Sequence, residues 1–315
     1  MESPANASST DVRRLVARLR FRHLELLVEL ERRGSLRAAA VVLNLTQPAL
    51  SKALIEIESA FGFALFVRNA RGLAATARGA VAIQGAKRLL AELSHVRAEA
   101  ALEPAALVLR IGAPPFVAQG YLPAILAGLV AGERPVLVEL HEERVRLLTS
   151  HLLDGRLDVL VTSHPADPAD LDRSLQAEKL FDADFEVIAP IDHPLGRARR
   201  VDWHRLARER WILPATSAMV RRILDDRFRL EGAVAPTPTI ESTSPVTNVQ
   251  LVAAGVGLSV VPGATLRAGH GVGRIRRVRV HPPIPSNPVA LVYRVASDRT
   301  RVDLLRDAIR RGARA

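Results

Sequence analysis

Gln47, Ser51 and Lys52 place three side chains of DNA-reading type within six residues. A Gln amide matches the edge of adenine, a Ser hydroxyl bonds a phosphate or a base, and a Lys ammonium binds phosphate or guanine. Such side chains need a rigid helix to aim them, and the flanking residues supply one. Thr46 is an N-cap, and Pro48 falls in the first turn, where its missing N–H would have no partner anyway. Leu50, Leu54 and Ile57 then recur on one face, and Gly62 ends the run. Upstream, Ser35 caps a shorter helix with Leu36, Ala39, Ala40 and Leu43 on its apolar side. The alanines Ala38 to Ala40 allow a second helix to cross closely, and Asn44 tolerates the left-handed conformation of a tight turn. Two capped helices and an Asn turn make a helix-turn-helix. The competing interpretation is an ordinary surface helix with polar residues on its wet face.

The run resembles the LysR-type transcriptional regulators. The similarity starts near Arg22-His23-Leu24 and passes through Gly34-Ser35-Leu36 and Leu45 to Lys52. It continues through Ile57-Glu58, Phe61-Gly62 and Leu65 to Arg68 as far as Gly79. The resemblance implies a winged helix-turn-helix, a long dimerisation helix and a two-lobed effector-binding domain. On it, Thr46, Gln47, Pro48, Ser51 and Lys52 begin the recognition helix, and Arg68 and Arg71 belong to a hairpin wing with Arg71-Gly72 at its tip. A basic wing tip enters a minor groove or sits against phosphate. The wing closes here as Ala75-Thr76-Ala77-Arg78-Gly79 rather than with the family's usual Leu-Thr pair, and Val41-Val42 stand where a polar residue is common.

Composition narrows the alternatives. The 315 residues suit two domains, and 48% hydrophobic with 24% charged residues is ordinary for a soluble chain. With no cysteine there is no disulfide framework or thiolate chemistry, and the nine histidines show no paired ligand spacing. No cofactor or metal is expected. No segment resembles a signal peptide or a membrane span, so a cytoplasmic protein with no membrane partner is expected. Only Lys52, Lys87 and Lys179 among 44 basic residues are lysines. Much of the net charge of +11 sits in the arginines from Arg267 onwards. Arginine bias on solvated faces and a second phosphate-contacting surface both account for it.

The predicted organisation is an arm over 1–20, an all-α winged helix-turn-helix over 21–75, a linker helix over 76–104 and an α/β effector domain over 105–315. The linker helix opens at Thr76, runs to about Glu103 and stops at Pro104. Ile83, Ala86, Leu90 and Leu93 give it an apolar stripe, which pairs with a twin helix or packs on the chain's own C-terminal domain. Beyond it, strands at Val108–Gly112, Val136–Leu140 and Leu157–Thr162 alternate with helices, which predicts a mostly parallel sheet. Lobe I spans about 105–180 and 280–315 and lobe II about 181–279, an architecture resembling periplasmic solute-binding proteins.

Ligands of open α/β sheets sit beyond the carboxyl ends of strands. That rule selects Pro114, Pro115 and Phe116; Thr162 and Ser163; Thr216 and Ser217; and Ser242 and Thr243. A small carboxylate or sugar-like effector suits that mix, although the same Ser and Thr residues also serve as helix caps. Gly255-Val256-Gly257 lacks a third glycine and precedes a strand, so it is a helix stop rather than a dinucleotide loop. No Gly-x-Ser-x-Gly occurs. The expectation is a non-enzymatic regulator that binds double-stranded DNA as a homodimer or homotetramer and answers to a small molecule. The alternatives are a cytoplasmic small-molecule-binding protein with no DNA role, and an enzyme.

Overall fold

The computed structural model describes residue 13, residues 15–69, 72–102, 106–132, 135–165, 167, 169, 171–297 and 299–312, with side chains to 310. The chain divides into two compact units, one holding residues 1–105 with 153–156 and the other 106–152 with 157–315.

The first unit is built on α1 (Phe21–Arg33), α2 (Leu36–Val42) and α3 (Gln47–Phe61). Their caps follow from the sequence. Ser35 accepts the Ala38 N–H at 3.4 Å and Thr46 accepts the Ala49 N–H at 3.3 Å. Asn44 turns the chain at φ 52°, and Gly62 closes α3 in the left-handed region. Leu27, Leu30, Leu50, Ile57, Leu65 and Ile83 are fully buried and join the three helices into one core. At about 1.5–3 kcal/mol for each fully buried aliphatic side chain, this small core holds the helices at fixed crossings. The hairpin β1 (Phe66–Asn69) and β2 (Gly72–Ala75) follows, then α4 (Ala77–Ala100), capped by Thr76, which accepts the Gly79 N–H at 2.9 Å. Ile83 and Ala86 bury the start of α4 in the same core. The helix ends at Ala100; Glu103 and Pro104, the expected stop, lie outside the described residues.

In the second unit the chain runs β3 (Leu107–Ala113), α5 (Pro115–Ala118), α6 (Leu122–Val130), β4 (Val136–Glu142), α7 (Val145–Leu153), β5 (Val159–Ser163) and β6 (Leu175–Ala183). It continues through β7 (Phe185–Pro190), α8 (Trp203–Leu206), β8 (Trp211–Leu213), α9 (Met219–Leu230), β9 (Ile240–Glu241), α10 (Pro245–Ala253), β10 (Leu258–Pro262), α11 (Gly263–Arg267) and β11 (Ile275–Arg277). It returns through β12 (Asn287–Arg294) and α12 (Arg299–Gly312). Two five-stranded sheets result, ordered β4-β3-β5-β12-β6 in lobe I and β11-β7-β10-β8-β9 in lobe II.

Neither sheet is mostly parallel, contrary to the expectation from helix–strand alternation. β3 pairs parallel with β4 and β5, whereas β12 pairs antiparallel with β5 and β6. In lobe II, β8 is parallel to β9 and β10, and β7 is antiparallel to β10 and β11. The cause is the pair of crossings. A chain that leaves lobe I along β6 and comes back along β12 enters each sheet from the opposite end. Lobe II is centred on Phe228, whose ring meets Trp203 edge-on at 4.9 Å and Trp211 at 6.1 Å. Each indole N–H is satisfied, Trp203 by the Pro282 carbonyl and Trp211 by the Leu206 carbonyl.

Candidate nucleic-acid interface and ligand cleft

The helix α3 presents its opening residues outward. Thr46, Gln47, Pro48 and Lys52 are exposed and Ser51 is half-buried, while Leu50 and Ile57 on the opposite face are fully buried. Polar groups at the start of such a helix meet base edges when it enters a major groove. Arg68 is exposed on β1, paired with Leu73 of β2. Arg71 lies outside the described residues.

The wing is tied to the helix by a residue that sequence reasoning noted only as part of a motif. Glu58 Oε1 accepts the Leu65 N–H at 2.7 Å and the Phe66 N–H at 3.1 Å. At its other edge the hairpin rests on the turn after α1, where Leu73 N–H donates to the Gly34 carbonyl at 2.8 Å. Gly72 sits at φ 119°, and a Cβ there would lie 2.5 Å from that carbonyl oxygen, so only glycine fits. Gly79 is constrained in the same way, since a Cβ would lie 1.9 Å from the Leu65 carbonyl oxygen.

Beyond α1 to α3, α4 keeps Leu89, Leu93 and Val96 about half exposed. At 1.5 Å per residue its 24 residues span about 36 Å, and this stripe lies on the half of the helix beyond the buried core.

Several of the expected ligand residues lie at or just beyond strand ends of the second unit. Thr162 is 4% exposed at the end of β5, and neither its hydroxyl nor that of Ser163 has a hydrogen-bond partner among the described residues. Across the lobes, Ser242 and Thr243 follow β9, with the Ser242 carbonyl accepting from Asn248 Nδ2 at 3.3 Å. Asn248 is 3% exposed and its Oδ1 is likewise unpartnered. Buried polar atoms of this kind are uncommon in native folds, and a binding cleft is one reason for them.

Other expected residues play different parts. Pro114 precedes the short α5 and Pro115 opens it, while Phe116 is buried 6.0 Å from the Phe185 ring. Thr216 and Ser217 are exposed in the loop before α9 and do not cap it, because Ala218 holds that position without a side-chain bond. Ser244 caps α10, accepting the Thr247 N–H at 3.3 Å.

The residue that joins the two lobes' loops is Gln119, which sequence reasoning missed. Its Oε1 accepts from Ser244 Oγ at 3.1 Å and from the Val246 N–H at 3.4 Å, and its Nε2 donates to Glu142 at 2.6 Å. A second link sits at the crossing from β6 to β7. Tyr121 donates its hydroxyl to Asp184 Oδ1 at 3.0 Å, and Arg267 contacts both Asp184 oxygens at 2.8 and 3.0 Å. The Arg267 guanidinium holds the Asp184 carboxyl below the usual carboxylate range. Burial first and the Asp184 charge second push the Tyr121 phenol up, so it stays a neutral donor.

Comparison with known proteins agrees with this arrangement. Residues 21–80 match the family described as bacterial regulatory helix-turn-helix protein, lysR family, and residues 103–314 match the LysR substrate binding domain. A protein of Streptomyces viridosporus named "Probable hydrogen peroxide-inducible genes activator" is 31% identical over 267 residues, 84% of each chain. One of the same name from Mycobacterium leprae is 28% identical over 88% of each. Among solved structures, a full-length OxyR variant from Pseudomonas aeruginosa superposes with a TM-score of 0.64 at 25% identity, covering 93% of this chain and 95% of that one. Full-length BenM shares the fold, with a TM-score of 0.55 at 24% identity over 93% of this chain and 96% of its own. The chain therefore belongs to the LysR family of transcriptional regulators, with an N-terminal helix-turn-helix DNA-binding domain followed by a LysR substrate-binding domain.

Proposed function

We propose that the chain reads promoter DNA with the first turns of α3 and controls that binding through a small molecule held between the two lobes. Gln47 and Ser51 read bases, Thr46 and Lys52 hold phosphates, Pro48 fixes the entry angle of the helix, and Arg68 with Arg71 lets the wing follow the neighbouring groove. The observation that carries this is the exposure of Gln47 and Lys52 on a helix whose other face is locked into the core by Leu50 and Ile57. The stripe Leu89, Leu93 and Val96 pairs with the same helix of a second copy, giving the two-fold arrangement that half-sites on DNA require. The chain works by binding rather than by catalysis, in the compartment that holds its DNA.

The effector site in this reading is lined by Thr162, Ser163, Ser242, Thr243 and Asn248, with Gln119 spanning the lobes. Thr162, Ser163 and Asn248 bring buried oxygens that a polar metabolite satisfies. Hydroxyls donate or accept, so a small carboxylate or a sugar-like molecule is the class that fits. The two relatives from Streptomyces and Mycobacterium are named for induction by hydrogen peroxide, but this chain contains no cysteine. A thiol-based oxidation switch has no residue to act on here, and the signal is a reversibly bound ligand. The test is a thermal-shift screen of carboxylates and sugars on the whole protein, followed by binding to the DNA upstream of its own gene. A metabolite that raises the melting temperature, changes DNA affinity and loses its effect in Ser163→Ala and Asn248→Ala supports the site. A stabilising metabolite indifferent to both substitutions contradicts it.

A further inference from the structure

Lobe II carries a basic groove apart from the residues proposed above for DNA and effector binding. Arg274, Arg276, Arg277 and Arg279 fall within six residues, and Arg197, Arg199 and Arg200 within four. The fold lays these two segments side by side. Val201 and Val280 form a parallel bridge, the Val201 N–H donates to the Arg279 carbonyl at 2.9 Å, and the His281 N–H donates to the Val201 carbonyl at 2.9 Å. Gly196 allows the close approach, since a Cβ there would lie 2.9 Å from the Arg276 Cβ. The groove between them has a volume of about 690 Å³. Small-molecule sites run from roughly 300 to 1,000 Å³.

The lining is one-sided in charge. Arg197, Arg276, Arg277 and Arg279 border the groove against a single carboxylate, Glu186, and Pro283 with Ile284 gives it an apolar floor. All four arginines are exposed. The pairs that two of them make are loose, Arg277 with Glu186 at 3.7 Å and Arg197 with Asp192 at 3.6 Å. Exposed pairs of that length contribute little and give way to a better anion. Arg276 is steadied by its Nε–H donating to the Ile191 carbonyl at 3.1 Å. Arg279 has no ion pair among the described residues. The groove lies on β11, while the loop of Ser242 and Thr243 follows β9 at the other edge of the same sheet, with three strands between them.

We propose that this groove binds an organic phosphate, with its phosphate held by the arginines and its carbon body on the apolar floor. Guanidinium forks match phosphate oxygens two at a time, and several cations around an apolar patch favour a small amphiphilic anion over a bare ion. The protein then takes two separate chemical inputs, one between the lobes and one on the flank of lobe II.

Calorimetric titration of the full chain with adenosine 5′-monophosphate, glucose 6-phosphate and inorganic phosphate tests this, with adenosine and glucose as partners lacking the charge, all at fixed ionic strength. At least one phosphate ester binds more tightly than inorganic phosphate, and its dephosphorylated partner does not bind. R277Q/R279Q weakens the ester at least tenfold, Arg197→Gln on the other wall does so independently, and both leave DNA affinity and its salt dependence unchanged. Failure of all three phosphates to bind overturns the proposal. So does binding that both variants retain, or a loss of DNA affinity with a shallower salt slope, which makes the groove a DNA contact instead.

Discussion

Glu58 accepts the Leu65 N–H at 2.7 Å, a bond that ties the end of α3 to the start of the β1–β2 hairpin. The same carboxylate oxygen takes the Phe66 N–H, so one side chain near the end of α3 sets where β1 begins. Glu58→Ala leaves two part-buried amides without a partner, which costs about 1–3 kcal/mol. We expect a lower melting temperature and DNA binding weakened by roughly tenfold, with Glu58→Gln recovering most of both because its amide oxygen still accepts. Parallel thermal unfolding and DNA titration check this.

His23 is expected to make the stability of the N-terminal unit depend on pH. It is 5% exposed, and burial first, then Arg22, holds its imidazole below the usual value of 6.5. Its Nδ1 accepts the Arg20 N–H at 3.4 Å, which requires the unprotonated nitrogen. Below pH 6.5 the unfolded chain takes up a proton that the folded one refuses, so stability falls with falling pH until the lowered folded pKa is passed. Urea unfolding between pH 8 and 5 is expected to show this decline, and His23→Gln to flatten it.

Leu89 and Leu93 are two of the exposed apolar residues on the outer half of α4. Leu89→Glu with Leu93→Glu puts like charges on both sides of a twin-helix contact. Sedimentation velocity is expected to show a fall in the assembly state, with the melting of each unit little changed because neither side chain is buried.

Asp184, at the crossing between the lobes, is held by Tyr121 and Arg267. Asp184→Asn and Arg267→Gln each remove the doubly bonded ion pair, and the double variant is expected to behave like either single one, because the two residues act through one contact. Effector affinity, once an effector is found, is expected to fall severalfold in each. The folded pKa of Asp184 is depressed, so its contribution is present above the ordinary carboxylate range and is lost as the pH falls through that depressed value.

Local signals in the sequence reached far in the first unit and less far in the second. Ser35, Asn44, Thr46, Gly62 and Thr76 cap or turn their helices through residues at most four positions away, so spacing alone exposes them. α9 escaped notice because Ala218 provides no cap and a charged residue, Arg221, shares its buried face with Leu224 and Phe228. β6 escaped because Leu175–Ala183 shows no regular alternation, being an edge strand whose partner β12 comes from more than a hundred residues later. Gln119 with Ser244 and Tyr121 with Asp184 are separated by 125 and 63 positions. Nothing in the local pattern of either residue anticipates the other. The direction of β12 follows from the return crossing, which strand and helix alternation does not record.

The most direct test of the central claim is DNA binding by Gln47→Ala and Lys52→Ala, measured against the DNA upstream of the gene over a range of salt. Both residues are exposed, so both variants are expected to melt like the parent. Gln47→Ala is expected to cost about 1–3 kcal/mol on the cognate site and to narrow the gap to unrelated DNA. Lys52→Ala is expected to weaken all sequences alike and to reduce the salt slope by about one. Unchanged affinity, specificity and salt slope in the double variant would contradict the assignment of α3 as the recognition helix.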